Sequence, residues 1–230
     1  MGTNKDQNQL FPIFLKPEKL QFLIVGGGNA ASEKLRFLLK SSPIATVRLV
    51  AEKVSKEILL LIVEHPQVEI RLRNFENTDL EDVDISIIAT DDKERNLAIR
   101  KESKRRGIVT NVADTPALCD FYLGSIVTKG DLKIGISTNG KSPTMAKRIR
   151  QLFEKYLPEE LPSLLTNMNL FRKTLKGDFS SKVKILNQLT EDLVKNNEQT
   201  KEVKSGKGPQ LSTASYRRYI TTGLPAHWGN

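Results

Sequence analysis

Residues 21–34, QFLIVGGGNAASEK, constrain the fold more than any other stretch of this chain. Phe22, Leu23, Ile24 and Val25 form an apolar run without polar alternation, as a strand buried on both faces requires. Gly26, Gly27 and Gly28 then permit a tight turn. Ala30 and Ala31, followed by Leu35, Leu38 and Leu39, open a helical apolar stripe. Strand, glycine turn and helix in this order leave backbone N–H groups at the positive end of a helix, where no Cβ blocks an approaching anion. The pattern Gly26-x-Gly28-x-x-Ala31 fits a dinucleotide-binding fingerprint, with Ala31 small enough for close packing of helix on strand. Gly26, Gly28, Asn29 and Ala30 are therefore the candidate pyrophosphate contacts. An ordinary strand-to-helix turn shares this local pattern, so the remaining chain must decide.

It supports the nucleotide reading. Further apolar runs at 46–50, 68–73, 85–89 and 108–112 alternate with helical stripes, one carrying Val54, Ile58, Leu61 and Ile62 and another running over 93–106 to Gly107. Alternating strands and helices predict a parallel, doubly wound five-stranded sheet in the order 3-2-1-4-5. The segment 10–15, LFPIFL, precedes the first strand. Pro12 excludes it from a central ladder, so it is expected along an edge or over the core. Beyond Asp114 the pattern changes. Runs at 121–128 and 132–137 flank Lys129-Gly130-Asp131 as a β-hairpin, and three amphipathic helices follow, the last over 181–195. Residues 196–208 are polar and are expected to be disordered; the stretch to Trp228 is expected to dock loosely, if at all.

The 230 residues carry a formal net charge of +9 and only 6% aromatic side chains. The bases are spread out and stacking platforms are scarce, so a polyanionic small molecule explains the charge as well as nucleic acid does. Cys119 is the only cysteine, which excludes a disulfide framework and a cysteine metal cluster. No run approaches the ~20 apolar residues of a membrane span, and the first residues lack the apolar core of a signal peptide. The expectation is a cytoplasmic protein that binds neither membrane nor nucleic acid.

Candidate chemistry rests on carboxylates. Glu52 follows the second strand, about 20 residues past the glycines, where a carboxylate accepts from an adenosine ribose and repels a 2′-phosphate; that favours NAD over NADP. Thr90 and Asp91 end the fourth strand on the same sheet edge, though Asp91 or Asp92 would also serve as a plain N-cap. Asp114 follows the fifth strand. It could act as general base while a hydride passes to the nicotinamide, or cap the turn before Pro116. Lys129, Lys133, Lys141, Lys147, Arg148 and Arg150 surround the hairpin and a helix start at Ser142, a plausible anion site with that helix's free N–H groups. No residue set has metal-ligand spacing.

In consecutive order, LFPIFL, VGGGNAASEK, IIATDDKERN, NVADTPALCDF and GISTNGKSPTMAKRIR resemble the precorrin-2 dehydrogenases, the dehydrogenase/ferrochelatase modules of siroheme synthase. The resemblance covers about 10–156. It implies a Rossmann domain, a dimerisation region and a helical C-terminal domain, placed here at 1–114, 115–150 (the hairpin and helix start) and 151–195; it rests mainly on helical character after Tyr156 and fails in the polar tail over 196–230. It further implies a homodimer that oxidises precorrin-2 to sirohydrochlorin with NAD, with Asp114 on the family's catalytic aspartate. Asn111, Lys129, Lys141 and Ser142 become the expected contacts to the polycarboxylate substrate. Some members also insert Fe²⁺ into the product. Asn139 stands where glycine is frequent in the family. The competing expectation is a regulatory NAD-binding module without chemistry.

Overall fold

The computed structural model describes residues 8–190. The chain divides into two compact units, with the division between Leu123 and Gly124.

The first unit is a parallel sheet covered on both faces. Its elements are β1 (Gln21–Val25), α1 (Asn29–Ser41), β2 (Thr46–Ala51), α2 (Lys56–Glu64), β3 (Val68–Leu72), β4 (Ile85–Ile88), α3 (Lys93–Arg105) and β5 (Val109–Val112). The strand order β3-β2-β1-β4-β5 is the order expected from the alternation of strands and helices, and every pairing is parallel. Successive residues of a strand point to opposite faces, so β1 serves two cores. Phe22 and Ile24 pack with Leu35, Leu39, Val47, Leu49, Ile58 and Ile87 on one face. Leu23 and Val25 pack with Val50, Ile88, Ile99 and Val112 on the other. Each fully buried Leu or Ile among them contributes about 2–3 kcal/mol of transfer free energy. This two-sided burial explains why the strands read as apolar runs.

Segment 10–15 does not lie along an edge or over the core. It forms neither strand nor helix, and Phe11 and Phe14 are 85% and 70% exposed. Pro12 offers no N–H for a ladder, and no backbone hydrogen bond joins 10–15 to a described strand.

The second unit opens with an antiparallel hairpin, β6 (Ser125–Lys129) and β7 (Leu132–Ile136), joined at Gly130-Asp131. Gly130 has φ +57°, and a Cβ there would stand 2.7 Å from Pro162. The first strand begins later than the apolar run at 121 implies, because the Phe121 carbonyl accepts a hydrogen bond from Asn111 in the first unit's own edge. Helices α4 (Pro143–Tyr156), α5 (Leu161–Thr174) and α6 (Phe179–Thr190) follow. Ser142 caps α4 by accepting from Met145 N–H at 3.2 Å, with Pro143 as first helical residue. The helix continues unbroken through residue 150. Asn139 has φ +53°, a left-handed conformation that asparagine tolerates better than most residues, which accounts for its standing in for glycine. The expected end of the last helix near 195 and the tail over 196–230 lie outside the described residues.

Candidate nucleotide site and the Asp114 loop

The glycine turn is built from three different demands. Gly26 has φ +122°, and a Cβ on it would stand 2.1 Å from the Ala89 carbonyl oxygen. A Cβ on Gly27 would stand 1.9 Å from the Lys53 carbonyl oxygen. The turn is thus wedged between the ends of β4 and β2, and Gly26 N–H donates to Val50 O at 2.9 Å while Ser55 N–H donates to Gly27 O at 2.8 Å. Gly28 differs, because a Cβ there would meet nothing within 4 Å. Fingerprint spacing singled out Gly26 and Gly28 and passed over Gly27, whose requirement comes from a loop far away in sequence.

Gly28 is also the N-cap of α1 and supplies no side-chain cap. The neighbouring helices of the unit are capped: Ser55 accepts from Ile58 N–H at 3.3 Å, and Asp92 from Arg95 N–H at 2.9 Å. Ser32 is the first residue of α1 whose N–H returns to the turn, donating to Gly28 O. The N–H groups of Asn29, Ala30 and Ala31 therefore lie in the unpaired first turn, beside open space over Gly28. These are the elements a dinucleotide pyrophosphate needs, and the residues fit that group.

The other expected cofactor residues lie on the same carboxyl-end edge of the sheet. Glu52 directly follows β2 and is exposed. Thr90 follows β4; its hydroxyl donates to Asn96 Oδ1 at 2.5 Å and its carbonyl accepts from Asn96 Nδ2 at 2.9 Å. Asn96 is buried, and this paired contact fixes the loop between β4 and α3. Capping falls to Asp92, which leaves Asp91 exposed and free of that duty.

Asp114 lies in the turn two residues beyond β5, exposed, with φ +56°. Among the described residues its carboxylate has no hydrogen-bond or ion-pair partner, so it does not cap the turn; the short helical turn Pro116–Leu118 begins without a side-chain cap. Asn111 is buried, and its amide donates to Phe121 O at 2.8 Å and towards Cys119 Sγ at 3.4 Å. That places it beneath the Asp114 loop as a support.

The basic residues of the second unit separate into two kinds. Lys129 is mostly buried, and its ammonium donates to Leu157 O and to Glu159, each at 2.7 Å. It ties the hairpin to the junction of α4 and α5. Lys141 is exposed, and no described residue pairs with its ammonium. The Ser142 hydroxyl is engaged in its cap, and its backbone N–H and C=O are both held by Thr138 Oγ1. The sequence pattern could not distinguish Lys129 from Lys141, because Glu159 is distant in the chain.

Residues 13–125 match the family described as "Putative NAD(P)-binding", and residues 129–156 match that described as "Sirohaem biosynthesis protein central". Together they account for more than half of the chain. These two matches, in this order, are what the chain shares with siroheme-biosynthesis proteins. The first unit is accordingly an NAD(P)-binding domain. The chain is 34% identical over 176 residues to the siroheme synthase of Pseudoalteromonas atlantica, covering 76% of this chain and 37% of that protein. It is 36% identical over 153 residues to the siroheme synthase of Methylococcus capsulatus, covering 66% of this chain and 32% of that protein. It thus spans about a third of the length of the curated relatives it matches. A solved structure named SirC, precorrin-2 dehydrogenase, shares the fold at a TM-score of 0.65 and 22% identity, over 93% of this chain and 98% of that one. No described helix is long and apolar enough to cross a membrane.

Proposed function

We propose that the protein is an NAD-dependent precorrin-2 dehydrogenase that forms sirohydrochlorin in siroheme biosynthesis. The match to the sirohaem-biosynthesis central model and the likeness to curated siroheme synthases support the pathway, and the name of the similar solved structure supports the step. The observation that carries the chemistry is the unpartnered Asp114 carboxylate, beyond β5 on the same sheet edge as the glycine turn. The oxidation removes two electrons and two hydrogens from the tetrapyrrole, one leaving as hydride and one as proton. Bound NAD⁺ supplies the hydride acceptor. The N–H groups of Asn29 and Ala30 and the open space over Gly28 hold its pyrophosphate, and Glu52 accepts from the adenosine ribose, which favours NAD over NADP. Asp114 takes the proton at its carboxylate oxygen. Lys141 is the exposed cation that meets a substrate carboxylate, while Lys129 and Ser142 hold the framework of its own unit.

The experiment is purified protein with NAD⁺ and precorrin-2, following NADH and the sirohydrochlorin spectrum. Failure of both signals, with NAD⁺ binding intact, would identify a non-catalytic NAD-sensing module instead. Fe²⁺ is a second substrate in this reading, with Asp114 also accepting pyrrole protons during insertion; insertion above a no-enzyme control tests it. Helix α4 leaves Met145, Leu152 and Phe153 exposed, an apolar face that supports a homodimer, which sedimentation would reveal.

A further inference from the structure

β5 is an edge strand, and its outer side is closed by an unusual partner. Residues 118–121 run alongside it without forming a strand. Asp120 N–H donates to Thr110 O at 2.8 Å, and Thr110 N–H donates to Asp120 Oδ2 at 2.9 Å. Two residues further along β5, Val112 N–H donates to Cys119 Sγ at 3.2 Å, and the thiol faces Val112 O at 3.2 Å and Thr115 O at 3.4 Å. Two side chains thus take the places of backbone ladder groups. From α3, Arg100 donates to Leu118 O at 2.7 Å and to Asp120 Oδ1 at 2.6 Å, holding this segment from outside.

The loop so closed is 113–117, and Asp114 stands in it. Its own side chain is held by nothing among the described residues, and its φ of +56° is uncommon for a non-glycine residue. Its position therefore depends on the feet of the loop, which Cys119 joins by reaching both Val112 and Thr115.

We propose that Cys119 is a positioning residue for Asp114, acting with Asp120 and Arg100 as a clamp that fixes where the carboxylate stands above the sheet edge. This rests on the assignment of Asp114 as the base. Burial pushes the Cys119 thiol up from its ordinary pKa, which keeps the S–H donor in place. A sulfur suits this place because it is large enough to reach both backbone groups of Val112 and the Thr115 carbonyl at once. Asp120 and Arg100 supply the stronger charged hydrogen bonds that keep the segment in register.

The test compares the full-length protein with Cys119→Ala, Cys119→Ser and Asp114→Asn, by steady-state kinetics and by amide hydrogen exchange. Cys119→Ala should speed exchange at Val112 and lower kcat roughly tenfold to a hundredfold, as expected for a displaced catalytic group. The Kd for NAD⁺ and the KM for precorrin-2 should stay within about twofold, because neither binding contact is removed. Cys119→Ser, which keeps a donor and an acceptor, should recover most of the lost kcat. Wild-type kcat in Cys119→Ala beside an inactive Asp114→Asn overturns the positioning role alone. Wild-type kcat in Asp114→Asn overturns the base assignment and this inference with it, and the exchange data then still report whether the clamp exists. A Cys119→Ala enzyme whose loss is entirely in NAD⁺ affinity also overturns the proposal.

Discussion

The Cα of Gly26 faces the carbonyl oxygen of Ala89 so closely that a Cβ would stand 2.1 Å from it. The turn after β1 and the end of β4 are therefore one packed joint, and the first glycine answers to the neighbouring strand before it answers to any ligand. Two positions along, Gly28 faces open space.

These two glycines should fail differently. Gly26→Ala combines a backbone clash with a φ of +122°, and should destabilise the protein by about 2–4 kcal/mol. Gly28→Ala loses little beyond a poorer N-cap, about 1 kcal/mol or less. Its methyl nevertheless occupies the space over the turn, and should weaken NAD⁺ binding at least tenfold. Denaturant midpoints beside NAD⁺ titrations separate the two; equal loss of stability in both variants would contradict the geometry.

Asp114→Asn keeps shape and removes the proton acceptor. Because the carboxylate makes no contact among the described residues, stability and NAD⁺ affinity should be unchanged. Dehydrogenase kcat should fall by about 10²- to 10⁴-fold, the usual range for a general base. A thermal melt, an NAD⁺ titration and turnover measured on one preparation check all three statements, and a stability loss comparable to a core mutation would show that Asp114 has a structural duty.

How far the chain itself announces its architecture can be judged from these residues. The β1 run and the Gly26–Gly28 spacing are local signals, so strand order and the glycine turn could be read directly. Lys129 and Lys141 could not be told apart, since burial of one against Glu159 depends on a helix junction that no local pattern encodes. Cys119 was legible only as an unpaired cysteine. Its place against Val112 becomes visible when the edge of β5 is seen to lack a strand partner.

The two lysines accordingly predict opposite phenotypes. Lys129→Ala removes hydrogen bonds to Leu157 O and Glu159, and should lower stability by about 1–3 kcal/mol. Lys141→Ala should leave the melt unaltered and raise the KM for the polycarboxylate substrate, more so at low ionic strength. A Lys141→Ala enzyme with unchanged KM at every salt concentration would remove that residue from the substrate contacts.

A charged joint lies at the β3 end of the sheet. Asp79 is fully buried and receives hydrogen bonds from Arg71, Arg73 and the Glu76 N–H. Burial pushes its pKa up, but the hydrogen bonds from Arg73, Glu76 and Arg71 outweigh it and hold the carboxyl at about 2, against 3.8 ordinarily. A folded-state pKa below the unfolded one stabilises the protein above the unfolded value, here about 3.8, and that stabilisation is lost as pH falls through about 2. The amount is about 2 kcal/mol. Urea midpoints between these pH values should fall less steeply for Asp79→Asn, which starts from lower stability, than for wild type. Parallel curves would refute the coupling.

The Cys119–Asp120 segment has a meaning beyond the loop it fastens. An open edge of a parallel sheet is a row of unpaired donors and acceptors, ready to recruit a strand from another molecule. Here that row is blunted by the Cys119 thiol and by the carboxylate and N–H of Asp120, so that a foreign strand meets side chains where it would need a ladder. The residues proposed to position Asp114 thereby also cover the β5 side of the sheet against strand addition, so that loosening them should endanger solubility as well as the proposed turnover.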